Sequence, residues 1–292
     1  MVTSSMICGH SETQRVRNDL TMCLVCRHVQ RINADPSAQT TYGESDYLAH
    51  RVRDTAWQDL QARRRWRELR PLLDDGRIGR ALEIGSSTGD FLVQLASDGV
   101  EVFGVELSAS ASNIARMRLP DSVIRPTLED ISCFAPFDLI VLFHTLEHVS
   151  DADSLLASLS SICRKGSILA VKVPHWRSFP RFFLRQRWNG DIEEHIHFFS
   201  KDSLECILAK HGFTARNLFT SSSPLSWLSG MRRVVSRQTY AVEGKASHRS
   251  SRFTGRKKVL LDRALSISYF PFALFERWFF LGDELTLIAE RR

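Results

Sequence analysis

The segment ALEIGSSTGDFL, residues 81–92, constrains this chain more than any other. An apolar run ends in Gly85, a second glycine stands at Gly89, and an amphipathic helical pattern begins there. Glycine accepts left-handed backbone angles and close ligand approach that a Cβ would block. A helix start offers N–H groups that have no partner within the helix. A second apolar run, 102–105, ends in Glu106, which lies 21 residues beyond Gly85. At about that distance an acid meets ribose hydroxyls in nucleoside-binding folds. The pattern predicts strand, loop, helix and strand around a nucleoside-containing cofactor.

The glycine spacing narrows the choice. A dinucleotide fingerprint reads G-x-G-x-x-G, which brings the backbone close to a pyrophosphate; here Ser87 stands where a middle glycine would. The same residues match G-x-S-x-G, the hydrolase nucleophile elbow, with Ser87 as nucleophile. That elbow follows several strands, whereas residues 46–75 read as charged helix and no HGGG-type segment lies upstream.

From residue 80 the chain alternates strand and helix, which predicts an α/β fold with a parallel sheet covered on both faces. Strands are expected near 80–84, 101–106, 122–125, 137–143, 166–173, 214–220 and 284–290, and helices near 89–98, 109–117, 152–163 and 201–211. Ser200 is the expected N-cap of the last of these helices and Gly212 its terminator. In the 46–75 helix Leu48, Val52, Ala56, Leu60 and Leu69 form a broken apolar stripe, with the run from Arg63 to Arg67 on the solvent side. The expected divisions are an N-terminal arm at 1–35, a helical linker or lid at 36–78, a core at 79–220 and 283–292, and an insertion at 221–282 with no clear period in its basic half.

Residues 81–92 resemble motif I of class I S-adenosylmethionine-dependent methyltransferases, E-x-G-x-G-x-G, with Glu83, Gly85 and Gly89 in place and Ser87 replacing one glycine. Residues 137–149, FDLIVLFHTLEHV, look like the fourth-strand motif of the same family. The segment 188–200, with His195, His197 and Ser200, resembles W…H-x-H-x-F-S of a bacterial subgroup acting on sugars, polyketides and related metabolites, and 282–289 resembles its final strand. The resemblance spans about 40–220 and 280–292. It implies a Rossmann-like sheet, parallel with an antiparallel final strand, and S-adenosylmethionine as cofactor.

Site residues follow from the resemblance together with the residues' chemistry. Glu83, Gly85, Ser87 and Gly89 would form the cofactor loop, Glu106 a ribose clamp, and Asp130, with Glu129 as the alternative, the contact to adenine. His144, Glu147 and His148 follow the fourth strand, where open α/β sheets bind ligands. An imidazole titrating near neutrality suits proton removal from a methyl acceptor, and His144 is the best placed; His148 reads as structural. His195 and His197 lie two apart and so share a face of extended chain; they read as a substrate base, as ligands of sugar or phosphate oxygens, or as a metal pair that lacks a nearby third ligand. Cys8, His10, Cys23 and Cys26 suggest a small zinc ribbon, since C-x-x-C wraps a tetrahedral ion. The related subgroup has C-x-x-C at both ends, and here Ser5 holds the first place, so His10, or else His28, would replace it; a metal-free arm is the alternative.

Charge is localised. Residues 231–263 hold ten Lys and Arg against Glu243 and Asp262, a net +8, so the remainder of a chain of net +6 sums to −2. The body is therefore not a basic nucleic-acid binder, and nucleic acid is an unlikely partner. The basic stretch leads into aromatic residues 265–281, which suit either a lid on the sheet edge or peripheral membrane contact. In the membrane reading Trp278, Phe279 and Phe280 anchor while Glu276 and Arg277 face headgroups. The chain has no run of 18 apolar residues and no basic, apolar leader, and its six cysteines fit a reducing compartment. These features predict a cytoplasmic protein, with peripheral contact at the inner membrane face through 231–281. The expected function is methylation of a small metabolite, sugar or lipid-linked glycan. The rivals are an RNA methyltransferase using the basic insertion and a non-catalytic binding protein with a degenerate fold.

Overall fold

The computed structural model describes residues 6–32, 54–73, 78–236 and 255–292. Leu48, Val52, Ser5 and the basic residues Arg237, Lys245, Arg249 and Arg252 lie outside the described residues. The strands are β1 (Thr13–Arg17), β2 (Leu20–Cys23), β3 (Val29–Arg31), β4 (Arg80–Ile84), β5 (Glu101–Val105), β6 (Val123–Arg125), β7 (Phe137–Phe143), β8 (Cys163–Pro174), β9 (His197–Phe198), β10 (Phe213–Ser221) and β11 (Glu284–Arg291). The helices are α1 (Thr55–Leu69), α2 (Asp90–Ser97), α3 (Ala109–Arg118), α4 (Glu129–Ser132), α5 (Ala152–Ser161), α6 (Phe179–Leu184), α7 (Lys201–Lys210), α8 (Pro224–Ser236) and α9 (Gly255–Trp278).

Seven strands form one sheet in the order β10-β11-β8-β7-β4-β5-β6. Strands β4 to β8 run parallel, and β11 is antiparallel to both β8 and β10. This is the Rossmann-like methyltransferase fold with its antiparallel last strand. Apolar side chains fill both faces: Leu82, Phe103, Ile140 and Leu142 belong to one core cluster, Ala81, Leu139, Val141 and Phe91 to the other. Chain order reverses between β4 and β7, so their carboxyl ends open a crevice, the place where such sheets bind ligands.

Local chemistry sets several ends as the sequence predicts. The Ser200 hydroxyl accepts from the Ser203 backbone N–H within a capping box, and Gly212 takes φ +80° after α7. Other parts differ. The described part of the 46–75 helix is α1, and its inward stripe is Gln58, Ala62, Arg65 and Leu69; of the predicted stripe Leu69 is buried and Leu60 half-buried. Ala56 and Arg63 are exposed, whereas Arg64 reaches the buried Asp262 at 2.6 Å. The arginine run therefore faces protein on one side. The insertion is helical at both ends, as α8 and α9.

The N-terminal arm is joined to the core. β1, β2 and β3 form a small antiparallel sheet with β9, which belongs to the 188–200 segment. Met6, Ile7 and Cys8 share a core cluster with Phe199, Leu204 and Leu208. Arg31 donates to the carbonyls of His195 and Ile192, both at 3.0 Å, and Arg17 pairs with Asp191 at 2.5 Å.

Candidate functional site

The loop after β4 is a left-handed turn repeated three times. Gly85, Ser87 and Gly89 take φ +75°, +47° and +74°. Gly85 permits a close approach: a Cβ there would stand 2.6 Å from Thr145 Oγ1. That hydroxyl donates to the Ile84 carbonyl at 3.0 Å and ties the end of β7 to the end of β4. Ser87 adopts without strain relief the angle that a glycine takes freely, at a typical cost of ~1–3 kcal/mol. Its backbone N–H donates to Glu106 Oε2 at 2.7 Å, and Ser108 N–H donates to Oε1 at 2.8 Å. Glu106 is thus fixed to the loop by one oxygen and to the N-cap of α3 by the other.

A cavity of about 300 Å³ lies over this loop, at the lower end of the range for small-molecule sites. Its floor is Glu83, Gly85, Ser86, Ser87 and Asp90; Phe143 and His144 form one wall, and Gln58, Ala62 and Arg65 of α1 close the top. Arg65 sits over the Phe143 ring at 5.3 Å. Glu106 and Asp130 stand outside that lining, farther along the sheet at the ends of β5 and β6. Asp130 is exposed and accepts from the Thr127 hydroxyl at 2.7 Å.

His144 ends β7 with φ +54°, a strained angle for a side chain of this size, and its backbone N–H is fixed by the Lys172 carbonyl at 2.8 Å. Its Nδ1 lies 3.5 Å from Glu147 and its Nε2 3.3 Å from Glu284. Burial works against the imidazolium, but contacts to Glu147 and Glu284 outweigh it and raise the pKa above the usual histidine value. Glu284 in turn meets the Lys172 ammonium at 2.8 Å. Burial alone would raise its carboxyl; Lys172 and His144 hold it well below the usual range. Sequence reasoning missed Lys172 and Glu284. One signal was available: a lysine inside the apolar run 168–174 must find an acid if its strand is central.

The remaining histidines fall into two pairs, His148 with His195 and His197 with His28. Glu147 is fully buried, and its side chain lies with those of His148 and His195 within 4.8 Å of one another. Burial opposes its charge, yet His144 and His148 keep its pKa lowered. His148 Nδ1–H donates to the Glu194 carbonyl at 3.1 Å and His195 Nδ1–H to Gly190 at 2.8 Å. His197 turns away to the Val149 carbonyl at 3.0 Å and to His28 at 3.2 Å. Burial pushes both His195 and His197 down to about 4. Neither shares an open face with the other, and both of the polar contacts of His197 are structural.

In the arm, ligand atoms of Cys8, His10, Cys23 and Cys26 lie within 4.8 Å of one another. His10 Nδ1 is 3.5 Å from Cys23 Sγ, while His28 is committed to His197. Burial raises the Cys23 thiol, but N–H groups of Cys26 and Val25 bring it down to about 7. All three cysteines are free and buried. Three cysteine sulfurs and an imidazole around one point form a donor set suited to tetrahedral zinc.

Comparisons with known proteins bear on the family and the fold. The model of a family described as a methyltransferase domain matches residues 56–218. The ubiquinone biosynthesis O-methyltransferase of Aromatoleum aromaticum is 31% identical over 149 residues, 46% of this chain and 61% of that protein. The enzyme of the same name from Azoarcus sp. is 29% identical over 148 residues, 46% and 60%. The chain thus spans about three fifths of the length of these curated relatives. Phosphoethanolamine N-methyltransferase 2 of Haemonchus contortus, solved with S-adenosyl-L-methionine, superposes with a TM-score of 0.50 at 16% identity, over 88% of this chain and 59% of that one. A methyltransferase solved with the Haloferax volcanii Trm112 methyltransferase activator gives 0.50 at 13% identity, over 89% and 98%. At such identities the likeness shows a shared fold. The family match covers more than half of the chain and takes in the glycine loop, Glu106 and His144, so this chain belongs to the S-adenosylmethionine-dependent methyltransferase domain family.

Proposed function

We propose that this chain transfers a methyl group from S-adenosylmethionine to a small metabolite, sugar or lipid-linked glycan, with a hydroxyl as the favoured acceptor. The observation that carries the reading is that the glycine loop and His144 line one cavity. The fit to the cofactor rests on the left-handed loop whose Gly85, Ser86 and Ser87 line the cavity, and on a crevice at the sheet's switch point. Glu83, Gly85, Ser87 and Gly89 would hold the cofactor, with Glu106 at its ribose and Asp130 toward its adenine. When bound, the cofactor supplies a methyl group already activated by the sulfonium, so much of the catalysis is positioning.

His144 would accept the hydroxyl proton at an imidazole nitrogen. Glu147 and Glu284 orient the ring and stabilise the cation that forms, and Lys172 keeps Glu284 charged. His195, a neutral imidazole, would act through Glu147, which it packs against, with His197 holding its segment. Zinc would be held by Cys8, His10, Cys23 and Cys26, as a structural ion that fixes β3 against β9. The basic and aromatic insertion would make peripheral membrane contact. The names of the curated relatives support an oxygen acceptor on a small molecule.

Calorimetry with S-adenosylhomocysteine tests the cofactor site. Binding is expected, weakened by roughly 1.5–3 kcal/mol in Glu106→Ala, the scale of a hydrogen bond to a charged group. No binding to the intact chain would overturn the reading. Radiolabelled methyl transfer into a metabolite extract then identifies the acceptor.

A further inference from the structure

Helix α9 turns charged side chains inward beside half-buried Leu261, Leu265 and Phe272, and leaves a second apolar stripe outside. Lys258, Asp262, Tyr269 and Glu276 recur at spacings of four, seven and seven and share the side that faces the protein. Lys258 meets Asp54 at 2.7 Å, and Asp262, fully buried, meets Arg64 at 2.6 Å. Glu276, also fully buried, accepts from the Tyr269 hydroxyl and from Trp227 Nε1 at 3.3 Å. The opposite side carries Leu260, Ile267, Phe270, Leu274 and Trp278 at spacings of seven, three, four and four. All five are exposed, Ile267 and Trp278 at 79% and 80%.

A helix made for water reverses this pattern. Buried acids are costly unless paired, and an apolar stripe in water gains nothing. On α8, which packs against α9, Met231 and Val235 are exposed as well, and so is Phe182 of α6, which packs against α8. An exposed apolar stripe of this length marks a contact with something apolar. Around the first turns of α9 the exposed side is basic: Arg256, Lys257 and Arg263, with Arg232 on α8. A second copy across a twofold axis would set these cations against the apolar end of the facing helix, which offers them no anion. Anionic headgroups meet the same residues with opposite charge, and the aromatic end of the helix then reaches the acyl boundary.

We propose that the outward face of α9 seats on an anionic lipid surface, with Leu260, Ile267, Phe270, Leu274 and Trp278 in the interface and Arg256, Lys257 and Arg263 among the headgroups. This rests on the membrane contact proposed above for the insertion and deepens it by naming the face. It also corrects one part of the sequence expectation, because Glu276 is turned into the protein and not toward headgroups.

The test is co-sedimentation of the intact chain with vesicles of equal parts phosphatidylglycerol and phosphatidylcholine, and with phosphatidylcholine alone, at low and high salt. Binding to the anionic vesicles is expected, stronger at low salt, falling about fivefold for each of Arg256→Gln and Lys257→Gln. Ile267→Ser with Trp278→Ser should abolish it while leaving the melting temperature and S-adenosylhomocysteine binding unchanged. Binding that survives the Ile267 and Trp278 changes overturns this face while leaving the broader membrane reading standing. No binding by the intact chain overturns both. Self-association in light scattering, lost with the same two changes, assigns the face to a second copy and also overturns the proposal.

Discussion

His144 Nε2 and Glu284 Oε1 lie 3.3 Å apart, although one ends β7 and the other begins β11. β8 separates the two strands in the sheet and brings Lys172 to the same carboxylate. The histidine that faces the cavity is therefore part of a charged chain, not a lone base. Its second nitrogen is near Glu147, so both of the ring's contacts favour the cation. A raised pKa makes a stronger base once neutral, at the expense of the neutral fraction at a given pH.

The first prediction concerns that chain. If neutral His144 is the working form, kcat/KM rises with pH through a value above the ordinary ~6.5 of histidine. Glu284→Gln removes one of the two carboxylates and should move that limb to lower pH, while His144→Ala should cost about 10²–10⁴ in kcat. The stability linkage has the same sign. His144 gains its partners on folding, so its contribution is present below the unfolded pKa and is lost as pH rises through the raised folded value. Melting of wild type against His144→Gln across pH should show the difference narrowing on the alkaline side; a constant difference would remove the ion contacts from the account.

Ser87 carries the second prediction. Its φ of +47° is one that glycine takes at no steric cost. Ser87→Gly should relieve the strain and, after the entropy glycine loses on folding, stabilise the chain by about 1 kcal/mol. The Glu106 contact is made by the backbone N–H, so it is retained. Thermal melts and S-adenosylhomocysteine titration of the variant check this. A clear loss of stability would mean that the hydroxyl contributes more than the angle costs.

What the sequence made legible was local. Gly85 and Gly89 announce their turn, and the strand ends from Arg80 to Glu284 follow from apolar runs whose boundaries are set by neighbouring residues. Ser200 caps its helix through a bond three residues away. What stayed hidden needed distant partners. Lys172 and Glu284 meet only after β11 is laid antiparallel on β8. The run from Arg63 to Arg67 reads as a solvated face until Asp262 and Phe143 are placed against Arg64 and Arg65. Helix α9 defeats pattern reading because it is apolar on both sides, with Leu261, Leu265 and Phe272 half-buried and Leu260, Ile267 and Leu274 exposed, so no single face stands out. The histidine pair at 195 and 197 shows the limit of spacing arguments. Only His197 lies in β9, so the two do not present one face.

Acid sensitivity is the third prediction. Burial pushes His175, His195 and His197 each down to about 4. A histidine whose folded pKa is depressed contributes stability above its unfolded value, and that contribution is lost as pH falls through the folded one. Stability should therefore decline between pH of about 6.5 and about 4. His175→Gln should flatten the slope in this window, because its one ring contact is to the Gly282 carbonyl at 3.1 Å, which a glutamine amide also serves as donor. Denaturant midpoints measured across the window decide it, and an unchanged slope in the variant would assign the acid response to other groups.

The fourth prediction is that protein purified without chelator carries about one zinc per chain. Cys8, His10, Cys23 and Cys26 already lie within 4.8 Å of one another, so little rearrangement is needed to close a tetrahedral site. The consequence reaches beyond the arm. β3 pairs with β9, and Arg31 holds the carbonyls of His195 and Ile192. Loss of the ion would loosen the 188–200 segment, whose His195 walls the Glu147 side of the site. Chelation, or Cys23→Ser, should release the zinc, lower the melting temperature and raise the KM for the acceptor more than that for the cofactor, since the cofactor loop belongs to β4 and α2. Zinc-free protein that melts as the native chain does, with amide protection of β2 and β3 intact, would show that the cluster needs no metal. Equal effects on both KM values would show instead that the arm supports the whole sheet and not this wall in particular.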